Sequence, residues 1–370
     1  MKKIWQKIKK GYYKLPYWVR EWVIPILIIL AIREFVAAPY RIPTTSMENT
    51  LLAGDFVVVS KIAYGPRIPQ TIGIPFTHQE IPFTGIRSYI PIEILPYMRL
   101  PGLDTVKRGD IFVFLYPNDT LHPVDRRMHY IKRCIAVPGD VLEIKKGEVY
   151  VNGQLQLSPP KALYLHFVFT QNNAPINPVY LEQLDIKLLG QLNIGSFLML
   201  MTKESAQRLQ NLPIIEKVIR LTDEPQKLGL PNLPFYPPPL ALFPHSPNFK
   251  WNLDNYGPIK IPRKGQKIEL TLENLPLYKD VITRHEGHKL EVKDSVIYID
   301  GKPQNYYIPE MNYYWAMGDN RHDSQDSRYW GFVPEDHLVG KAWFIMFSWD
   351  SNAPFWRKIR WNRIFKSAQQ

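Results

Sequence analysis

The segment DIFVFLY at 110–116 decides the reading of the fold: a short run of β-branched and aromatic residues introduced by the turn signal Gly109-Asp110, the pattern of a β-strand. Working outward, DFVVVSK at 55–61 repeats it after Gly54-Asp55, and YIKRCIAV at 130–137 continues it until Pro138-Gly139. Composition agrees. Hydrophobic residues make up 45% and charged ones 22% of 370 residues, which is globular and excludes a disordered chain, while 34 Pro and 21 Tyr favour strands and turns over a helical bundle. The expected fold is therefore mainly β, and the length calls for a second domain or large insertions.

Further along, LEIKKGEVYVNGQ at 142–154 aligns without gaps to LEVKDSVIYIDGK at 290–302. Each copy reads as strand, turn, strand, with Asn152-Gly153 and Asp300-Gly301 as tight-turn pairs. Two copies are too few for a solenoid, so they read as similar hairpins flanking an insertion. Within it, 197–201 reads as a strand, Thr202 as a helix N-cap, 203–210 as a short helix and 214–221 as another strand, a small α/β unit. The stretch 231–247 contains PFYPPP and FPHSP, which can neither form a helix nor join a central strand, and is expected to be an extended linker or surface loop. Segment 64–104, rich in Pro and Gly, is expected to be a loop that wraps the body or touches a membrane.

The N-terminal stretch WVIPILIILAIREFVAA at 22–38 is about 17 residues long, the lower limit for a membrane span. Arg33 and Glu34 would sit at the far headgroups, where long side chains reach water. Lys2, Lys3, Lys7, Lys9, Lys10, Lys14 and Arg20 precede the span, which places the N-terminus inside and everything after Pro39 outside. Val36-Ala37-Ala38 would suit a cleaved signal peptide, but Pro39 directly after the scissile bond favours an uncleaved anchor. The net charge of +12 is concentrated at both ends: Arg357, Lys358, Arg360, Arg363 and Lys366 interleave with Phe355, Trp356, Trp361 and Phe365, a pattern that suits either a lipid headgroup interface or a solvated amphipathic helix rather than nucleic acid. The organisation is thus a basic N-terminus (1–21), an anchor (22–38), a first part of the β body (39–154), an insertion (155–289), a second part of the β body (290–350) and a basic aromatic tail (351–370).

Cys134 is the only cysteine, so there is no disulfide framework or thiolate zinc site, and no HExxH occurs; neither a metal nor another cofactor is expected. Three separated segments carry the chemistry: RIPTTSMENTLLAGDFVVVSK at 41–61, RRMHYIKRCIAVPGD at 126–140 and MGDNRHDSQDSRYWGFVPEDHLVGKA at 317–342, with KRGDIFVF at 107–114 beside them. Together, in this order and after an apolar span, they closely resemble the conserved boxes of the bacterial signal peptidase I family, and the resemblance hardly touches the insertion.

The resemblance implies a membrane-bound serine endopeptidase that removes signal peptides from exported preproteins. By position, Ser46 is its nucleophile and Lys132 its general base. A serine hydroxyl is a weak nucleophile that a neutral amine within hydrogen-bond reach can activate, and a lysine, normally titrating near ~10.4, must be desolvated to be neutral. The apolar flanks Ile131, Ile135 and Val137 supply material for such a pocket. Thr44 corresponds to the hydroxyl residue that completes an oxyanion hole with the Ser46 N–H, Ser324 to a serine that orients the lysine, and Asp326 and Arg328 to a supporting charged pair. Gly318, Asp319 and Asn320 form the turn of the last box. The family cuts after small side chains in an Ala-x-Ala pattern; Tyr40, Ile42, Leu51, Tyr130 and Ile131 are the matching pocket walls. Its setting is the bacterial inner (cytoplasmic) membrane, with the catalytic body on the outer side. This chain departs at Thr44, where many relatives have serine, at Glu48-Asn49, which replaces an apolar-proline pair, and at His322.

Each of these residues also has an ordinary reading: a serine in a polar loop is usually a turn residue, a lysine on a strand a solvated face, and Cys134 a small packed side chain. Their joint occurrence is what raises the signal. A Ser-Lys self-cleaving repressor would carry a DNA-binding domain in place of the span. An SxxK enzyme is excluded because the sole match, Ser158 to Lys161, contains Pro159-Pro160. A tethered binding module that had lost catalysis would not need Ser46, Lys132 and Ser324 together.

Overall fold

The computed structural model describes residues 15–74, 77, 79–230, 233 and 236–369. Its main element is a seven-stranded antiparallel sheet built from β1 (Ala37–Arg41), β2 (Asp55–Ser60), β3 (Ile111–Leu115), β4 (His129–Ala136), β5 (Tyr313–Met317), β6 (Val333–Pro334) and β7 (Leu338–Ser348). The spatial order is β1-β2-β7-β3-β4-β5-β6, which puts DIFVFLY at the centre. Every residue of β3 is buried, and its two-residue period feeds two cores. Ile111, Val113 and Leu115 pack with Met47, Leu51, Val57 and Ile345. Phe112 and Phe114 join Tyr64, Cys134, Tyr314 and Trp330.

The strand expected at 55–61 ends at Ser60, and Lys61 begins a helical turn, Lys61–Tyr64. The Lys61 N–H donates to the Val36 carbonyl and its amine lies 3.5 Å from Glu34. Both internal copies are hairpins, Val141–Lys145 with Glu148–Val151 and Leu290–Lys293 with Val296–Ile299. Asn152 and Gly153 (φ 54° and 76°) and Asp300 and Gly301 (φ 51° and 77°) take the left-handed conformation that a tight hairpin turn needs. Tyr256–Lys260, inside the 155–289 segment, pairs with Val141–Lys145 and so packs with the body.

The insertion holds a four-stranded antiparallel sheet in the order Ile215–Arg220, Tyr164–Thr170, Ser196–Met201, Lys187–Asn193. Its helix spans Lys203–Gln210, as expected, with the Thr202 hydroxyl accepting from the Ser205 N–H at 3.0 Å. The described part of the proline-rich stretch holds only the short turn Pro239–Ala241 but is more than a surface loop. Leu242 and Phe243 are 1% and 3% exposed, and the Phe243 ring stands edge-on to Trp315 and Phe332. Proline bars this segment from a ladder, while its apolar side chains still gain by burial.

Among its described residues the basic aromatic tail forms no amphipathic helix. It runs beside β7 through the short turns Phe355–Arg357 and Trp361–Arg363. Arg360 pairs with Asp350, and Arg363 neutralises the fully buried Asp55 at 2.6 Å, so two of its cations serve the fold. Phe355, Trp356, Trp361 and Phe365 remain exposed. At the other end, the π-helical turn Val19–Val23 leads into the α-helix Ile24–Phe35, and neither contains a buried residue. Among the described residues, no helix is long and apolar enough to cross a membrane. Ala37 and Ala38, inside the expected anchor, already pair with Ser60 and Val59. The lysines of the basic N-terminus, up to Lys14, lie outside the described residues.

Phe243→Ala should destabilise the protein by about 3–5 kcal/mol through the cavity it leaves. Leu240→Ala, at an exposed site three residues earlier, should change stability by less than about 0.5 kcal/mol. Urea denaturation of both variants checks the difference.

Candidate active site

Ser46 lies in the loop between β1 and β2. The loop is closed by backbone bonds from Ile42 to Asp55 and from Leu51 to Met47, and the buried Met47 and Leu51 side chains nail it to the core. Lys132 comes from the middle of β4, opposite Phe112 of β3. The two side chains, 86 residues apart in sequence, meet: Lys132 Nζ lies 2.6 Å from Ser46 Oγ. Lys132 is 4% and Ser46 8% exposed. Burial pushes the Lys132 amine down to about 8, against the opposing pull of Asp326 and Asp319. The Tyr130 ring lies 5.7 Å from the amine.

Both opposing carboxylates are already paired. Asp319 accepts two bonds from Arg133, at 2.8 and 2.7 Å, and one from the Thr50 hydroxyl at 2.7 Å. Asp326 accepts from Arg328 Nε and Nη2 at 2.9 and 2.8 Å and from the Gly318 N–H at 3.1 Å. Burial alone would raise the Asp326 carboxyl, but the Arg328 charge and these hydrogen bonds hold it below the usual range. Each carboxylate is occupied by its own arginine, and desolvation outweighs the pull of both on the amine.

The remaining predicted residues divide. Thr44 Oγ1 is 3.3 Å from Ser46 Oγ, and the Ser46 N–H donates to no acceptor among the described residues. Ser324 is brought to the site without reaching the amine: its buried hydroxyl has no hydrogen-bond partner among the described residues. It packs on Gly318, where a Cβ would come within 2.2 Å of Ser324 Oγ and 2.5 Å of the Ser46 carbonyl oxygen. Of the expected pocket walls, Ile42 and Leu51 are enclosed in the core at 2% and 0% exposure. Tyr40 and Ile131 keep partial exposure, and Tyr130 stacks on Tyr116 and meets Trp330 edge-on. Burial pushes the Cys134 thiol well up, which suits a packed residue and not a nucleophile.

The roles of Arg133 and of the insertion escaped the sequence reading, and Asn320, expected only as part of a turn, does more than that. Arg133 follows Lys132 on a strand and so points to the opposite face; that alternation was the available signal. Asn320 ties the last box to the serine loop, its N–H donating to the Ser46 carbonyl at 3.1 Å and its side chain to Thr45 O at 3.2 Å. The insertion is also part of this framework. Leu163 exchanges backbone bonds with Asp319 and Arg321, and His322 Nδ1 accepts from the Leu165 N–H at 3.2 Å while its Nε2 donates to Asp254. No sequence signal announced that docking.

A buried serine and a desolvated amine in contact have the makings of nucleophilic catalysis, and among the described residues no group of metal-ligating side chains accompanies them. Residues 15–167 and 305–349 match the family model described as signal peptidase, peptidase S26. The chain belongs to the signal peptidase family. It is similar to the signal peptidase I of Buchnera aphidicola subsp. Baizongia pistaciae, 28% identical over 92% of this chain and 80% of that one. The signal peptidase I proteins of Helicobacter pylori J99 (23% identical, 94% of this chain and 91% of that one) and Aquifex aeolicus (24%, 87% and 80%) are also similar. Family and relatives make the protein a signal peptidase I, a serine protease acting on preproteins with signal peptides. The stretch outside the signal peptidase match, 168–304, contains most of the insertion sheet.

The depressed Lys132 value has a consequence for stability. Between about pH 8 and the unfolded value of ~10.4 the unfolded chain holds a proton that the folded chain has released, so this group makes stability rise with pH across that window. Lys132→Met should flatten that rise and stabilise the protein at pH 7. Urea midpoints of both proteins at pH 7 and pH 10 measure it, and an unaltered pH slope would count against a desolvated amine.

Proposed function

We propose that the protein removes signal peptides through a Ser46-Lys132 dyad, a reading carried by the 2.6 Å contact between a buried hydroxyl and an amine pushed down to about 8. Neutral Lys132 takes the Ser46 proton as Oγ attacks the carbonyl carbon of the scissile bond. The developing oxyanion is met by the Ser46 N–H and the Thr44 hydroxyl; a donor of this kind lowers the barrier by roughly 2.7–4 kcal/mol. Protonated Lys132 then delivers its proton to the leaving amine. Water, deprotonated by the same amine, hydrolyses the acyl-enzyme. After attack, when Oγ has become the acyl oxygen and no longer holds the amine, the unpaired Ser324 hydroxyl takes over its orientation for the water step. Asp326 and Arg328 brace the wall behind the amine.

Selection of small residues around an Ala-x-Ala site follows if shallow pockets next to Tyr40, Ile42, Leu51, Tyr130 and Ile131 reject bulk by clash. The enclosed Ile42 and Leu51 would form pocket floors, with Tyr40 and Ile131 at the rims. Membrane attachment is supported by the apolar helix Ile24–Phe35, none of whose residues is fully buried against the body, and by its position after a basic N-terminus. The exposed Trp343, Phe355, Trp356, Trp361 and Phe365 add an aromatic face of the kind that sits among headgroups. The chain is then a single-pass protein of the bacterial inner membrane, N-terminus cytoplasmic and body outside.

Incubation with a preprotein carrying an Ala-x-Ala site should yield two fragments whose masses locate the cut. Ser46→Ala and Lys132→Ala should each abolish cleavage without unfolding the protein, and wild-type kcat/KM should rise with pH to a plateau above about pH 8. Near-normal cleavage by either variant would reject the dyad.

A further inference from the structure

A cavity of ≈ 610 Å³ that neither Ser46 nor Lys132 lines, and that shares Tyr40 with the proposed substrate pocket, lies between the end of the helix Ile24–Phe35, β1 and the segments around residues 67–74 and 125–129. Arg33, Arg41, Lys61, Arg67 and Arg126 line it, with Glu34 and Asp125 as carboxylates, so five cations face two anions. Glu34 pairs with Lys61 at 3.5 Å, and Asp125 Oδ2 accepts from the Gln70 N–H, the Thr71 N–H and the Thr71 hydroxyl at 3.0, 2.8 and 2.9 Å, while Asp125 Oδ1 has no hydrogen-bond partner among the described residues.

Arg67 is the decisive residue. It is 8% exposed, its Nη2 donates to Gln70 Oε1 at 2.5 Å and its guanidinium lies 5.7 Å from the Tyr97 ring centroid; Nε and Nη1 have no hydrogen-bond partner among the described residues. Burial pushes its guanidinium down, with Asp336 and Asp125 opposing, but Asp336 is itself bonded to His337. Leaving guanidinium N–H groups buried and unpaired is unfavourable unless a ligand supplies the acceptors. A guanidinium fork with excess positive charge around it fits the tetrahedral oxygens of a phosphate.

We propose that this cavity binds a phosphate-bearing anion, namely the headgroup phosphodiester of an anionic phospholipid, with Arg67 as its principal ligand and Lys61 and Arg126 beside it. The choice of lipid as the source rests on the anchor reading: Leu30, Arg33 and Glu34, at the end of the helix, form part of the wall, so the mouth would open at headgroup level. The site is then occupied when the protein sits in its membrane, and the bound headgroup fixes the body against the anchor.

The test uses the full-length protein in nonionic detergent, with dihexanoyl-phosphatidylglycerol and inorganic phosphate as separate probes and binding read by native mass spectrometry. The lipid should bind saturably at one site, at least tenfold weaker in Arg67→Gln and at least threefold weaker in Arg67→Lys, which keeps the charge but loses the fork. Lys293→Gln, on a remote hairpin, should bind as wild type. If inorganic phosphate binds as tightly as the lipid, the lipid assignment is overturned. If neither probe binds, or affinity is unchanged in both Arg67 variants, the site itself is overturned. Should Arg67→Gln fail to fold, the Arg67→Lys comparison decides. Preprotein cleavage measured in the same detergent without lipid should stay within twofold of wild type in Lys293→Gln. Absence of cleavage in the wild type would sink the peptidase mechanism while leaving the binding result intact.

Discussion

The contact between Lys132 Nζ and Ser46 Oγ works only if the amine is uncharged, and two carboxylates near it pull the other way. Either Asp319 or Asp326 standing alone would favour the ammonium form. The fold answers by giving each its own arginine in a bidentate geometry, Arg133 to Asp319 and Arg328 to Asp326. These pairs are nearly neutral units. The carboxylates can then do structural work, gripping Thr50 and the Gly318 N–H, without charging the lysine. Removing an arginine would leave a buried carboxylate exposed to the amine, which is why the pairs and the dyad form one electrostatic unit.

Geometry depends on the same groups. The serine loop has no secondary structure of its own and is positioned from three sides: Met47 and Leu51 sink into the core, Asp319 holds Thr50, and Asn320 holds the Thr45 and Ser46 carbonyls. Gly318 permits the close approach of the last box, since any side chain there would collide with Ser324 and the Ser46 carbonyl. Behind that box, Leu163 and His322 fasten it to the insertion sheet. The insertion thus bears on the active site through backbone bonds to the turn that carries Asp319 and Asn320, although it contributes no residue to the dyad.

Much of this was legible in the amino-acid sequence because local chemistry and tertiary structure agree. The runs at 110–116 and 130–137 are strands within a residue or two of their expected limits, the Asn-Gly and Asp-Gly pairs turn where they should, and Thr202 caps its helix. Ser46 and Lys132 were found through motif resemblance, not through any property visible at either position alone. Other features could not be read in advance because they depend on long-range partners. Leu242 and Phe243 reside in a proline-rich stretch that local rules assign to the surface, yet the core had room for them. Arg363 looked like part of a basic tail and is instead the counter-ion of Asp55, more than three hundred residues away in sequence. Ser324 was assigned a bond to the lysine that the unliganded arrangement lacks, since Lys132 already faces Ser46 and the serine packs on Gly318.

What unites the site is a charge state, and a charge state can be observed without turnover. The most direct measurement is a pH titration of the Lys132 ε-carbon by NMR in full-length protein labelled with ¹³C-lysine, the resonance being identified by its absence in a Lys132 variant. The account predicts a midpoint near the value of about 8 that burial imposes. A midpoint at the ordinary lysine value of ~10.4 would contradict it, because the amine would then be an ammonium at working pH and could not accept the serine proton.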